Sequence, residues 1–243
     1  MTSITSSRTR PIVAIDGPAG AGKSSVARRL AERLGFVLVD TGALYRTVAL
    51  AAQRDGIAFD DAEGLERLTH SLVAANAIAF APAQGREPRV SFSGEDISDA
   101  IRTPEMGMGA SIVSAHPGVR AALLDLQRKL GEGGGVVLEG RDIGTVVFPD
   151  ADVKFFLTAS PEVRATRRFE ELVAKGQSVT FEGTLEEVKK RDAQDMNRAH
   201  APLRRAPTAI LIDSSGNTVD ETVSKMADIV LAHGKNVNTG EEG

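Results

Sequence analysis

Residues 12–15 read Ile-Val-Ala-Ile, an unbroken apolar run of strand length, and similar runs fall at 36–39, 136–138, 153–157 and 209–212. Unbroken runs belong to strands buried on both faces, whereas a half-exposed strand alternates. Between the runs, apolar residues recur at helical spacing. Val26, Ala27, Leu30, Ala31 and Leu34 form one stripe closed by Gly35, and Val219, Val223, Met226, Ala227, Val230 and Leu231 form another. Strand and helix in alternation predict an α/β fold with a five-stranded parallel sheet flanked by helices on both faces.

Several junctions carry helix-start signals. Ser160-Pro161 and Thr103-Pro104 each offer a hydroxyl cap followed by proline at the first helical position. Thr184-x-x-Glu187 and Thr218-x-x-Glu221 read as capping boxes. The stretch 60–115 is too long for one crossover helix and contains a predicted hairpin, residues 76–81 and 89–93 around a Pro- and Gly-bearing loop at 82–88. It is expected to be a small insert at the rim of the sheet. The core then comprises 11–59 and 116–232, with a disordered N-terminus at 1–10, a frayed polar tail at 233–243 and a mobile joint near 176–184.

Composition narrows the picture. A chain of 243 residues with 42% hydrophobic content supports one main domain, and a net charge of −4 argues against a general nucleic-acid binder. There is no cysteine, which removes disulfides, thiolate nucleophiles and Cys zinc sites. The four histidines lack metal-ligand spacing and read as surface or helix-end residues. The first ten residues are polar and no run of eighteen apolar residues occurs, so a cytoplasmic protein without a membrane partner is expected. A monomer is expected too, because no long heptad pattern appears.

The first run leads directly into Gly17-Pro18-Ala19-Gly20-Ala21-Gly22-Lys23-Ser24-Ser25, which contains the phosphate-loop pattern Gly-x-x-x-x-Gly-Lys-Ser. Glycines let consecutive backbone N–H groups face an anion, the lysine reaches the β- and γ-phosphates, and the Ser24 hydroxyl suits Mg²⁺. Strand, loop and helix stand in the required order, so a nucleoside triphosphate such as ATP is the expected ligand, seated on a helix N-terminus. Asp16, Asp40 and Glu139 are candidate carboxylates around the divalent ion.

A phosphate loop alone is compatible with a motor, a switch or a kinase. The guanine-reading Asn-Lys-x-Asp pattern of a GTPase is absent. Arginines follow the strands instead: Arg46 in Asp40-Thr-Gly-Ala-Leu-Tyr-Arg46, Arg141 with Asp142 in Glu139-Gly-Arg-Asp-Ile-Gly144, and Arg191, Asp195 and Arg198 at helical spacing on one face. In an open α/β sheet, strand ends and the loops after them converge on the ligand crevice. Several guanidinium groups facing the triphosphate favour an acceptor that is already phosphorylated. A kinase for UMP, AMP or a metabolite such as shikimate is the alternative reading.

With these motifs, the chain resembles the bacterial cytidylate kinases of the nucleoside monophosphate kinase superfamily. The likeness runs from about 11 to 232 and adds Gly94-Glu-Asp-Ile-Ser98, Ile101-Arg-Thr103, Gly140-Arg-Asp-Ile-Gly-Thr-Val-Val-Phe-Pro-Asp150 and Lys190-Arg-Asp192 through Asn197-Arg198. It implies a P-loop kinase that moves the ATP γ-phosphoryl to CMP or dCMP, with an insert at 60–115 closing over the monophosphate and a helical lid at about 165–198 closing over ATP. Carried over, it makes Lys23, Arg141 and Arg198 catalytic, with Arg46 and Arg141 on the acceptor phosphate and Arg198 joining after closure. Ser111, Arg120 and Asp142 correspond to cytosine readers, Arg191 and Asp195 to groups near the ribose, Thr41 to a family serine, and Tyr45 to a packing residue at the acceptor. Glu139 stands where some relatives have aspartate and Gln194 where some have arginine.

Overall fold

The 12–15 run becomes a strand buried along its whole length, β1 (Ile12–Asp16), with the parallel strands β6 (Val136–Gly140) and β7 (Val153–Thr158) on either side. A computed structural model describes residue 8, residues 10–81 and residues 89–238, and of 234–238 the backbone alone. In chain order β1 is followed by α1 (Lys23–Leu34), β2 (Val37–Asp40), α2 (Thr41–Arg54), α3 (Ala62–Ala74), β3 (Ile78–Ala81), β4 (Arg89–Phe92), β5 (Glu95–Asp96), α4 (Pro104–Val113) and α5 (Pro117–Gly131). Then come β6 (Val136–Gly140), a π-helical turn (Ile143–Val147), β7 (Val153–Thr158), α6 (Pro161–Ala174), α7 (Phe181–Asn197), β8 (Ile210–Asp213) and α8 (Val219–Asn238). The larger sheet has five strands in the order β2-β6-β1-β7-β8.

The chain divides into two compact units, Met1–Phe36 with Gly134–Gly243, and Val37–Gly133. In the first, the pairings of β1 with β6, β1 with β7 and β7 with β8 are all parallel. Helix α1 packs on β1, β6 and α8, burying Val26, Ala27 and Leu30, while α8 buries Val223, Met226, Ala227 and Val230. Burial follows position in the sheet: β7 alternates between buried and half-buried residues, and at the edge β8 leaves Ile210 and Leu211 39% and 49% exposed. The run at 209–212 therefore marks an edge strand, although its composition reads as an interior one.

In the second unit, β3, β4 and β5 form an antiparallel sheet. Its core gathers Leu44 and Val48 of α2, Leu65 of α3, Val113 of α4 and Leu123 of α5. The predicted hairpin is present as β3 and β4, and the loop expected at 82–88 lies outside the described residues. No helix among the described residues is long and apolar enough to cross a membrane.

Ser160 and Thr103 cap α6 and α4 as expected, and Thr218 with Glu221 closes a full capping box at α8: each residue's backbone N–H donates to the other's side chain. The box expected at Thr184 is corrected. Helix α7 starts earlier, with the Thr180 hydroxyl accepting from Gly183 N–H, and Thr184 is an interior residue whose hydroxyl donates to the Thr180 carbonyl. Two hydroxyls four apart offered two starts, and the first captured the backbone. The stripe of α8 also ends sooner than its pattern, since Leu231 is 53% exposed. The helix itself continues to Asn238, taking in the first six residues of the segment expected to fray, because each further residue adds a backbone hydrogen bond once the helix exists. Within the N-terminal segment read as disordered, Arg8 pairs with Asp150 at 2.5 Å and Arg10 stacks over Phe36 at 4.7 Å; residues 1–7 and 9, like 239–243, lie outside the described residues.

Candidate functional site

The phosphate loop leaves β1 through a residue that must be glycine. Gly17 has φ +153°, and a Cβ there would lie 1.9 Å from the Leu157 carbonyl oxygen of β7. Gly22, at φ +86°, precedes α1 without any side-chain cap, so the first-turn N–H groups of α1 are left for an anion. The rear of the loop is held by side chains: Arg164 donates to the Ala19 carbonyl at 3.1 Å and the Ser214 hydroxyl to that of Ala21 at 3.1 Å. Lys23 is buried, with Nζ donating to the Pro18 carbonyl at 2.8 Å. Burial and the Arg141 charge lower its pKa, opposed by Glu139 and Asp195. The Ser24 hydroxyl donates to Glu139 Oε2 at 3.0 Å.

Glu139 belongs to β6, the neighbour of β1, and the register pairs Asp16 with Gly140. The phosphate loop and the Gly-Arg-Asp motif therefore leave the sheet side by side. Asp16 ties the two together: its carboxylate accepts from Ile143 N–H and Gly144 N–H, both at 2.7 Å, and so holds the π-helical turn behind Arg141 and Asp142. Burial raises the Asp16 pKa to about 6, against the two backbone donors.

Arg141 donates from Nε to Asp195 Oδ2 at 2.8 Å, and Arg198 Nη2 stands 3.8 Å from Asp142 Oδ1. Burial pushes the Asp195 carboxyl up, yet Arg141, Arg191 and Arg198 outweigh it and hold the pKa below its ordinary value. The structure thus brings Lys23, Arg141, Asp142, Arg191, Asp195 and Arg198 into one group of charges in the first unit. One expectation changes: Arg198 is not on the helix face of Arg191 and Asp195. Helix α7 ends at Asn197, and Arg198 turns extended (φ −61°, ψ 143°), its Nε donating to the Ala201 carbonyl. Gln194 is exposed.

The second unit carries the remaining candidates. Thr41 opens α2 and is buried, and Asp40 caps that helix by accepting from Ala43 N–H at 3.2 Å. Arg46 donates to the Ile101 carbonyl at 3.0 Å and lies beside Gly107 of α4. Arg120 of α5 stacks over the Tyr45 ring at 5.6 Å and donates to the Ser114 carbonyl at 3.2 Å, while Ser111 lies half-buried in α4.

Three residues escaped the sequence reading: Arg164, Ser214 and Asp192, of which the last was noted only as part of a motif. Arg164 sits beside a helix start and Asp192 is 28 positions away, a separation with no periodic signature. Ser214 follows the β8 run directly, so a hydroxyl at a strand end was the one available signal.

The chain matches the family model described as cytidylate kinase over residues 13–232. It is 56% identical over 215 residues to a cytidylate kinase of Geobacter sp. (strain M21), covering 88% of this chain and 90% of that one. A cytidylate kinase of Syntrophotalea carbinolica (strain DSM 2380 / NBRC 103641 / GraBd1) is 51% identical over 232 residues, or 96% of this chain and 97% of that one. A solved structure of an uncharacterized protein from Eubacterium ventriosum ATCC 27560 shares the fold, with a TM-score of 0.53 at 14% identity over 92% of this chain and 99% of that one.

Proposed function

The chain belongs to the cytidylate kinase family, and we infer from that membership and from its charged site that it transfers the γ-phosphoryl group of ATP to CMP and dCMP. The observation that carries the reading is the register of Asp16 with Gly140, which launches a phosphate loop and an Arg-Asp pair from adjacent strand ends.

The loop amides and Lys23 take the triphosphate. For a divalent ion the donors available are hard oxygens, the Ser24 hydroxyl backed by Glu139. No group of three or more His, Cys, Asp or Glu side chains among the described residues forms a cage. That set fits Mg²⁺, which keeps waters and substrate phosphates as its other ligands. When bound, the ion neutralises charge between the β- and γ-phosphates.

On the acceptor side the task is electrostatic. A nucleotide phosphate has its second pKa near 6 and already offers an anionic oxygen at neutral pH, so no strong general base is required. Arg141 and Arg198, each preset by a carboxylate, then lower the repulsion between two anions. Arginines of this kind contribute about 10³ to 10⁵ in rate in related phosphoryl transfers. Asp142 accepts the N4 amino group of cytosine, where uracil would present an O4 lone pair to the same carboxylate. Arg46, Arg120, Ser111, Tyr45 and Thr41 supply the acceptor contacts of the second unit, and Arg191 and Asp195 those near the ribose. Closure of the segment about 165–198 keeps water from the γ-phosphate.

Lys23→Ala tests the donor half. ADP release with CMP is expected to fall to background in a variant whose cooperative melt shows that it folds. Turnover near the wild-type rate would contradict the assignment.

A further inference from the structure

Arg164 is a guanidinium that the mechanism above does not use. It is 3% exposed, and each of its three nitrogens donates: Nε to the Ala159 carbonyl at 2.9 Å, Nη1 to the Ala19 carbonyl at 3.1 Å, and Nη1 and Nη2 to the two oxygens of Asp192 at 2.9 and 2.6 Å. One side chain therefore joins the end of β7, the phosphate loop and helix α7. Gly20 of the loop fits against it, and a Cβ there would be crowded, 3.2 Å from Arg164 Cβ.

On α7, Asp192 and Asp195 are three residues apart and both buried, hence neighbours on one face of the helix. Asp192 takes Arg164, and Asp195 takes Arg141. One face of the helix thus carries two carboxylates, one holding the phosphate loop through Arg164 and the other holding the acceptor arginine directly. A buried ion pair adds little net stability, because desolvation offsets its attraction. What a forked, two-bond pair supplies is fixed geometry.

We propose that Arg164 and Asp192 are positioning residues that couple the two substrates, so that a triphosphate seated in the loop sets α7, and with it Asp195 and Arg141, for the acceptor phosphate. This rests on the ATP and CMP reading above. Such coupling is a free energy shared by both ligands: whatever factor ATP adds to CMP affinity, CMP returns to ATP.

The test is CMP binding by calorimetry to the full chain, alone and with saturating Mg²⁺ and the β,γ-imido analogue of ATP. In the wild type the analogue is expected to tighten CMP about fivefold or more. In Asp192→Asn, and in Arg164→Lys, which keeps the charge and loses the fork, CMP alone binds within twofold of wild type and the tightening drops below twofold. A cooperative melt in either variant shows that it folds. Undiminished tightening in a folded variant overturns the proposal, and so does a wild type that binds CMP equally with and without the analogue, whether or not the variants fold. Failure of the wild type to bind CMP at all overturns the functional reading instead, and the coupling with it.

Discussion

Asp142 is 5% exposed and has the Arg198 guanidinium 3.8 Å away, so its charge is compensated before any substrate arrives. A carboxylate in that state is a ready acceptor for an amino group and a poor neighbour for a carbonyl oxygen. Asp142→Ala is accordingly expected to reduce the ratio of kcat/KM for CMP over UMP by about one to two orders of magnitude, with the larger loss on CMP. Unchanged ratios in steady-state assays would remove Asp142 as a base reader. At this scale the sequence was legible where chemistry demands a fixed spacing: Gly17, Gly22, Lys23 and Ser24 stand in a pattern that few other functions need. It was opaque where partners meet only through the fold. Nothing near Arg164 points to Asp192.

Between elements, the decisive contact is Asp16 of β1 holding the π-helical turn after β6. A carboxyl whose pKa is raised on folding binds its proton more tightly in the native state. Its contribution to stability is therefore complete below the unfolded pKa and lost as pH rises through the folded one. For Asp16 that window runs from 3.8 to about 6, and the displacement corresponds to about 3 kcal/mol. Urea denaturation of the wild type and Asp16→Asn between pH 4 and pH 7 should show the wild type's stability relative to the variant falling by up to that amount. A constant difference across the window would mean that Asp16 ionises freely. Elements were readable in proportion to their local signals. Thr218 with Glu221 capped α8 as its pattern promised, whereas Thr180 and Thr184 are both residues suited to a helix start, and the first of them took the cap. The run at 209–212 gave a strand correctly but not its edge position, because hydropathy reports composition and not the number of neighbours.

At the scale of the molecule, alternation of strand and helix was enough to foresee a five-stranded sheet. The extent of the second unit was harder to see. The segment 60–115 lies inside a unit spanning Val37–Gly133, whose core also takes Leu44 and Val48 of α2 and Val119 and Leu123 of α5. Periodicity shows that a helix has an apolar face and is silent on which partner covers it. Launched from adjacent strand ends, the phosphate loop and the preset arginines serve phosphoryl transfer to a cytidine monophosphate in the function proposed above. The most direct measurement is ADP release in a coupled assay with ATP and CMP, dCMP, UMP or AMP at equal concentration, beside a reaction without acceptor. Rapid release is expected with CMP and dCMP, slower release with UMP, and little with AMP or with no acceptor. Release at one rate whatever the acceptor, or only a slow hydrolysis indifferent to CMP, would contradict it.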